Sequence, residues 1–165
     1  MLLKQCIMTQ GRILLTKQGF NGLDSKLQYM IERRVVVLQE KEVAKEKGDL
    51  SENGDYQEAL NEQNLLDIEI RKYKSILGTA EVIDVANMTG DKVTFGATVT
   101  MLDMETDNEI CYQIVSEYES DLESGLLSIT SPIGRQTINK AVGDIIQVDT
   151  PRGSKTYKII LIEFK

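Results

Sequence analysis

Residues 55–78, DYQEALNEQNLLDIEIRKYKSILG, decide the fold. Tyr56, Ala59, Gln63, Leu66, Ile70, Tyr73 and Leu77 recur at alternating steps of three and four, the spacing that lines one face of a helix as a heptad seam. Gly78 follows the last seam residue, where a helix-ending glycine is expected. Upstream, the span from Phe20 to Lys47 contains no proline, and its only glycine is Gly22 near the start. There Leu23, Leu27, Met30, Ile31, Val35 and Leu38 return at helical spacing, which predicts a second long helix. Two such helices joined by a short turn form an antiparallel hairpin, each arm burying its stripe against the other. At ~1.5 Å per residue, an arm of about 28 residues projects roughly 40 Å. The seam turns polar toward the turn, with Arg34 and Lys41 on the first arm and Gln63 on the second.

Beyond Gly78 the period shortens. EVIDV, DKVTFGATVTML, EICYQIVS, LLSI, DIIQVDT and KTYKIILIEF are rich in β-branched residues and bounded by turn formers, so they read as strands. One helix is expected after Ser131-Pro132, because proline suits a first helical turn. TPRGSK is expected to join the last two strands as a hairpin. The fold class is therefore α+β: a long antiparallel coiled-coil hairpin over residues 1–79, and an antiparallel β-sheet domain with one helix over residues 80–165.

Composition narrows the function. A net charge of -7 and a pI near 4.7 argue against a protein that binds nucleic acid by neutralising phosphates over its whole surface. The chain has no histidine, which removes the commonest general base and every Ser/His/Asp or Cys/His arrangement. Cys6 and Cys111 stand far apart and form no metal pattern, so reduced thiols are expected. MLLKQCIM is too short and too interrupted for a signal peptide, and no apolar run approaches the ~20 residues of a membrane span. The cytoplasm is the expected compartment, with no membrane partner.

The turn itself, GDLSENGDYQEA from Gly48, is crowded with Asp49, Glu52, Asp55 and Glu58. Asp49-x-x-Glu52 has the form of a capping box, and acids in a first turn suit the helix dipole. Capping leaves unexplained why Glu62, Asp67 and Glu69 follow with no base before Arg71. Counted from Asp49, D-x-S-x-N-G-D also matches the first half of a calcium loop, but the twelfth position, which should be a bidentate Glu, is Leu60. A third reading starts from the hairpin. Two carboxylates three residues apart hold a hard cation through one or two oxygens and leave it incomplete, so another protein must supply the rest of the site.

GDLSENGDYQEA resembles the tip of bacterial Gre-type transcript cleavage factors, whose motif runs G-D-L-x-E-N-x-E/D-Y. VTFGATVTML is similar to the FGATV strand of that family, and SPIGRQTINKAVGDIIQVDTPRGSKTYKI to its C-terminal segment. The three motifs occur in family order and cover the chain from about Thr16 onward. The resemblance implies that the C-terminal domain has an FKBP-like fold and docks at the mouth of RNA polymerase's secondary channel. The coiled coil then brings its tip to the polymerase active site and stimulates the polymerase's own hydrolysis of a backtracked RNA 3′ end.

Carried over position by position, the tip carboxylates are Asp49 and Glu52, implied to be catalytic and to hold a Mg²⁺ shared with the polymerase. Asn53 and Tyr56 match as tip support, and Ser131 and Pro132 as polymerase-docking residues. Arg33, Arg34 and Lys41 are the candidates for contact with RNA; their alternative role is as solvated coiled-coil flanks. DNA binding enters only as a property attached to the family. The protein is expected to be a monomer when free and not an enzyme by itself. It lies nearer the GreA branch because no strong basic patch is present. Gly54 departs from the family's usual Ala, a substitution that costs ~1 kcal/mol inside a helix, and Val35 stands where the family has proline after the Arg pair. A channel-binding regulator that does not stimulate cleavage and a calcium-binding hairpin are the competing readings.

Overall fold

The computed structural model describes residues 12–46, 54–150 and 153–165. In chain order the elements are β1 (Ile13–Thr16), α1 (Lys17–Glu46), α2 (Gly54–Thr79), β2 (Ala80–Ile83), a 3-10 turn (Val85–Asn87), β3 (Thr98–Asp103), β4 (Glu109–Val115), β5 (Leu126–Ser128), α3 (Pro132–Thr137), β6 (Ile145–Thr150) and β7 (Gly153–Glu163). They fall into two units. Phe20–Ala80 form one, and the described residues up to Gly19 gather with Glu81–Lys165 to form the other.

The first unit is the helical hairpin. On α1 the buried residues are Leu23, Leu27, Met30, Val37 and Ala44. With Arg34 and Lys41 in the intervening places, they continue one heptad phase along the helix. Val35, expected in the stripe, is 52% exposed, and Leu38 is only half-buried. A seam that starts at Leu23 and Leu27 arrives at Val37 and Ala44, so those two positions lie off it. On α2, Ala59 and Ile70 are buried on the predicted seam, and Ile76 is buried beside it. Leu27, Met30 and Ile70 make the apolar cluster, with Ile31, Leu66, Tyr73 and Leu77 packed around it. The Lys26 ammonium sits 5.1 Å from the centre of the Tyr73 ring.

The helix end differs from expectation. Gly78 lies inside the last turn of α2, outside the left-handed region, and the helix runs to Thr79 before passing directly into β2. The Thr79 hydroxyl bonds back into its own helix, donating to the Ser75 carbonyl at 3.0 Å and the Ile76 carbonyl at 3.3 Å.

In the second unit, β1 pairs with β2 as a two-stranded sheet, and the other strands form a five-stranded sheet in the order β5-β4-β3-β7-β6. That sheet is mixed, which corrects the wholly antiparallel expectation. β5 runs parallel to β4, with Gln113 opposite Leu126 and Val115 opposite Ser128. The reason is the connection between them. It reverses the chain at the turn around Asp121, whose carbonyl accepts from Leu126 N at 2.8 Å, before β5 enters. Two expected strands are also cut short. Val85 falls in the 3-10 turn, and the segment from Asp91 becomes regular strand only at Thr98, because Gly96 (φ 85°) turns the backbone just before it.

Alternation on β3 buries Val99, Met101 and Asp103. Val99 and Met101 join Phe95, Ile114, Leu127, Ile138, Ile146, Tyr157 and Ile159 in the core, and Leu14 of β1 packs against it. Strand β1 had no signal in the strand reading: ILLT is four residues long and abuts a helix. Glu119 fixes its end. One carboxylate oxygen accepts from Thr16 N at 3.0 Å, the other accepts from Thr16 Oγ1 at 2.5 Å, and Ser116 Oγ lies 3.2 Å away. Thr16 Oγ1 in turn accepts from Gly19 N in the first turn of α1 at 2.9 Å. No described helix is long and apolar enough to cross a membrane.

Candidate functional site

Asp49, Glu52 and Asn53 lie outside the described residues, and so does the expected Asp49/Glu52 capping box. Their immediate neighbours are described. Tyr56 is half-buried in the first turn of α2, on the seam position that the heptad phase sets opposite Ala44. Gly54 is the first residue of α2, and a Cβ built on it meets nothing within 4 Å. The helix-interior propensity argument against Gly54 therefore does not apply at this position, and alanine would fit there. Helix from Gly54 onward also bears on the calcium reading. The sixth to twelfth loop positions, Gly54 to Leu60, are already helical, whereas an EF-hand wraps its ion with loop residues through the ninth. Among the described residues, no group of three or more Cys, Asp or Glu is arranged to hold a metal ion.

Between the two helices, toward their described ends at Glu46 and Gly54, Arg33, Glu40, Val43, Ala44, Asp55, Glu58, Ala59 and Glu62 line an open groove of about 320 Å³. Its electrostatics are organised by Arg33. The guanidinium donates a fork to Glu62, Nε to Oε1 at 2.7 Å and Nη2 to Oε2 at 2.9 Å, and reaches Glu40 at 3.3 Å. Such bidentate geometry is the strong form of the ion pair. It raises the Arg33 pKa and holds the Glu62 carboxyl below the usual carboxylate range. Arg34 Nε donates to Asp67 Oδ1, and that bond keeps the Asp67 carboxyl low as well. Lys41 Nζ donates to Gln63 Oε1 at 2.6 Å. All three candidate RNA-contact cations are thus engaged across the hairpin. Among the described residues, the acid of their own helix that pairs with them is Glu40, with Arg33.

The partners on α2 were missed in the sequence. Glu62 and Asp67 flank the seam at positions that face the other arm in an antiparallel coiled coil, so the heptad phase carried the signal. Glu119 had no comparable signal, because it is 103 residues from Thr16 and sits in a turn.

Ser131 and Pro132 open α3. Ser131 is its N-cap, the hydroxyl accepting from Gly134 N at 3.0 Å, and Pro132 occupies the first helical turn. This geometry gives both residues a capping role.

Comparison with known proteins adds the context that this geometry lacks. Residues 13–82 match the family model described as transcription elongation factor, N-terminal, and residues 88–164 match that of transcription elongation factor, GreA/GreB, C-term. The transcription elongation factor GreA of Neorickettsia sennetsu is 43% identical over 159 residues, covering 93% of this chain and 98% of that protein. The GreA of Cereibacter sphaeroides is 44% identical over 155 residues, covering 93% of this chain and 98% of its own length. Among solved structures, Gfh1 of Thermus aquaticus overlays with a TM-score of 0.43 at 27% identity, over 92% of this chain and 98% of that one. With both halves matched and relatives above 40% identity aligned over nearly their whole length, this chain belongs to the GreA/GreB family of transcription elongation factors.

Proposed function

We propose that this protein binds RNA polymerase through its secondary channel and stimulates the polymerase's own hydrolytic cleavage of backtracked RNA 3′ ends, so that arrested complexes restart. The observation that carries the reading is family membership across both units, in a chain whose hairpin turn keeps Asp49 and Glu52. The protein is a stimulating factor and not a nuclease. The hairpin is the delivering element, and the C-terminal unit, read as FKBP-like, is the docking element, with Ser131 and Pro132 at its contact with polymerase. Asn53 and Tyr56 support the turn.

Asp49 and Glu52 would hold a Mg²⁺ ion together with the polymerase. Their chemistry fits it, since Mg²⁺ takes hard oxygen ligands and is commonly held by one or two carboxylates while keeping several waters. When bound, the ion supplies a Lewis acid that lowers the pKa of a coordinated water. Two carboxylates alone leave the coordination of such an ion incomplete, so the reaction needs both proteins. The factor is proposed to be cytoplasmic and monomeric when free. Direct DNA binding forms no part of the reading; the net charge of -7 does not support it.

The test is addition of the purified protein to backtracked polymerase complexes with Mg²⁺. Shortened transcripts should appear faster than with polymerase alone. Asp49→Ala and Glu52→Ala proteins should bind as the parent does and return cleavage to the unassisted rate. Binding without cleavage by the parent would make the protein a channel-occupying regulator. Cleavage by both variants at the parent rate would remove the carboxylates from the mechanism.

A further inference from the structure

We infer that Arg33, Arg34 and Lys41 are positioning residues: with Glu62, Asp67 and Gln63 they lock the axial register of the two arms and so set where the turn carrying Asp49 and Glu52 stands. This rests on the proposed function for its catalytic consequence, though not for its structural half.

The argument begins with what the seam lacks. Its apolar cluster, Leu27, Met30 and Ile70 with Ile31, Leu66, Tyr73 and Leu77, lies in the half of the hairpin away from the turn. Toward the turn the buried seam residues shrink to Val37, Ala44 and Ala59. Small side chains let helices approach but offer few knobs, and a heptad seam repeats itself every seven residues, ~10 Å along the axis. Apolar packing in this half therefore fixes contact without fixing register. A slip of even one residue displaces the chain ends at Glu46 and Gly54 by ~1.5 Å against each other.

The polar pairs supply what the small residues do not. They span Arg33 to Lys41 on α1 and Glu62 to Asp67 on α2, between the apolar cluster and the turn. Each is directional. Arg33 meets both oxygens of Glu62 through a planar fork, a geometry that one position of the partner satisfies. Arg34 and Lys41 occupy seam positions and are half-buried, so a shifted register would leave their charges facing Leu or Ala. A polar group at a core position is the recognised device for specifying register in coiled coils. The cost of a slip, more than the strength of any one pair, is what fixes the alignment.

The same geometry separates this role from contact with RNA. A cation that meets RNA must stay on its arm, whereas a register lock depends on the pair and tolerates exchange of the partners. The experiment compares Glu62→Arg, Arg33→Glu and the exchanged double variant Arg33→Glu/Glu62→Arg, with Glu62→Gln as the milder single change. Paired spin labels at Val43→Cys and Glu69→Cys, in a Cys6→Ser/Cys111→Ser background, report the inter-arm distance by electron–electron resonance. Circular dichroism reports helicity, and cleavage of backtracked complexes is titrated for maximal rate and half-saturating concentration.

The single variants should keep their helicity, shift or broaden the label distance and lower the maximal rate about ten- to a hundredfold, the loss typical of a catalytic group misplaced by ~1 Å. Their half-saturating concentration should move less than about twofold, because the docking unit is untouched. The double exchange should restore distance and rate together. Unchanged distances in helical single variants would overturn the inference, and so would a double variant whose distance recovers while its rate stays low, since that outcome assigns the cation to RNA. If the charge reversals lose helicity, Glu62→Gln decides on the same two readouts. A parent that binds polymerase without cleaving would refute the proposed function and leave the register to be judged on distances alone.

Discussion

Gly96 is a position in the C-terminal unit where a single added carbon meets both a left-handed backbone and a buried side chain. Its φ is +85°, and a Cβ built there comes 2.6 Å from Val85 Cγ2 and 3.2 Å from Val85 Cγ1. The backbone has no freedom to escape: Gly96 N donates to Ile114 O at 2.7 Å, and its own carbonyl accepts from Gln113 Nε2 at 3.2 Å. Val85 is itself buried, so it cannot swing into solvent. Gly96→Ala therefore costs about 1–2 kcal/mol for the left-handed backbone and about 1–3 kcal/mol for overpacking, roughly 2–5 kcal/mol together. Gly143→Ala is the control, with φ +94° and nothing within 4 Å of the added carbon, so only the backbone cost of about 1–2 kcal/mol remains. Adding Val85→Ala to Gly96→Ala should recover about 1–2 kcal/mol relative to additivity. Hydrogen exchange at the amides of β3 and β4 measures the opening free energy of this unit without assuming that the whole chain unfolds in one step. The steric reasoning fails if Gly96→Ala costs no more than Gly143→Ala, or if the Val85 and Gly96 changes add within about 0.5 kcal/mol.

Two further predictions concern the same unit. Asp103 is buried and accepts from Lys155 Nζ at 2.9 Å and from the amides of Glu105 at 3.0 Å and Thr106 at 3.3 Å, which hold its pKa below the ordinary 3.8. A carboxyl lowered in the folded state stabilises above its unfolded pKa, and that contribution is lost as pH falls through the folded value; Asp103→Asn should thus flatten the acid side of a urea-midpoint titration below pH 3.8 and, because Asp103 also raises the Lys155 pKa, flatten its alkaline side above pH 10.5. Ser131→Ala should lose about 1 kcal/mol through the α3 cap, and Ser131→Asp should restore it; a Ser131→Asp protein that is as stable as the parent yet binds polymerase less tightly would assign Ser131 to docking, and one that binds equally well would leave it a cap.

What the sequence makes legible here follows from how far each signal reaches along the chain. The hairpin is readable because a heptad is local and redundant: missing the phase at Val35 and Leu38 still leaves Leu23, Leu27, Met30 and Ile70 to declare two facing helices. The strands show through β-branched runs, but their ends do not. Gly96 shortens β3 by a backbone turn fixed by Ile114 and Gln113, neighbours in space, and α2 runs one residue past Gly78 into β2. The parallel entry of β5 depends on how the chain reverses at Asp121, for which a turn-rich stretch offers several routes. The basic residues carry the more instructive ambiguity. Read along α1, Arg33, Arg34 and Lys41 fit equally a strip offered to a polyanion and solvated flanks balanced by Glu32, Glu40 and Glu42 beside them. Read across the hairpin, Glu62, Asp67 and Gln63 account for each of them. That second reading was available from the heptad phase alone, since it requires only that the two seams be laid antiparallel and their flanking positions compared. Charge on a coiled coil has to be assigned after the register, and where the register itself is weakly specified by alanines, the charges are the means of specifying it.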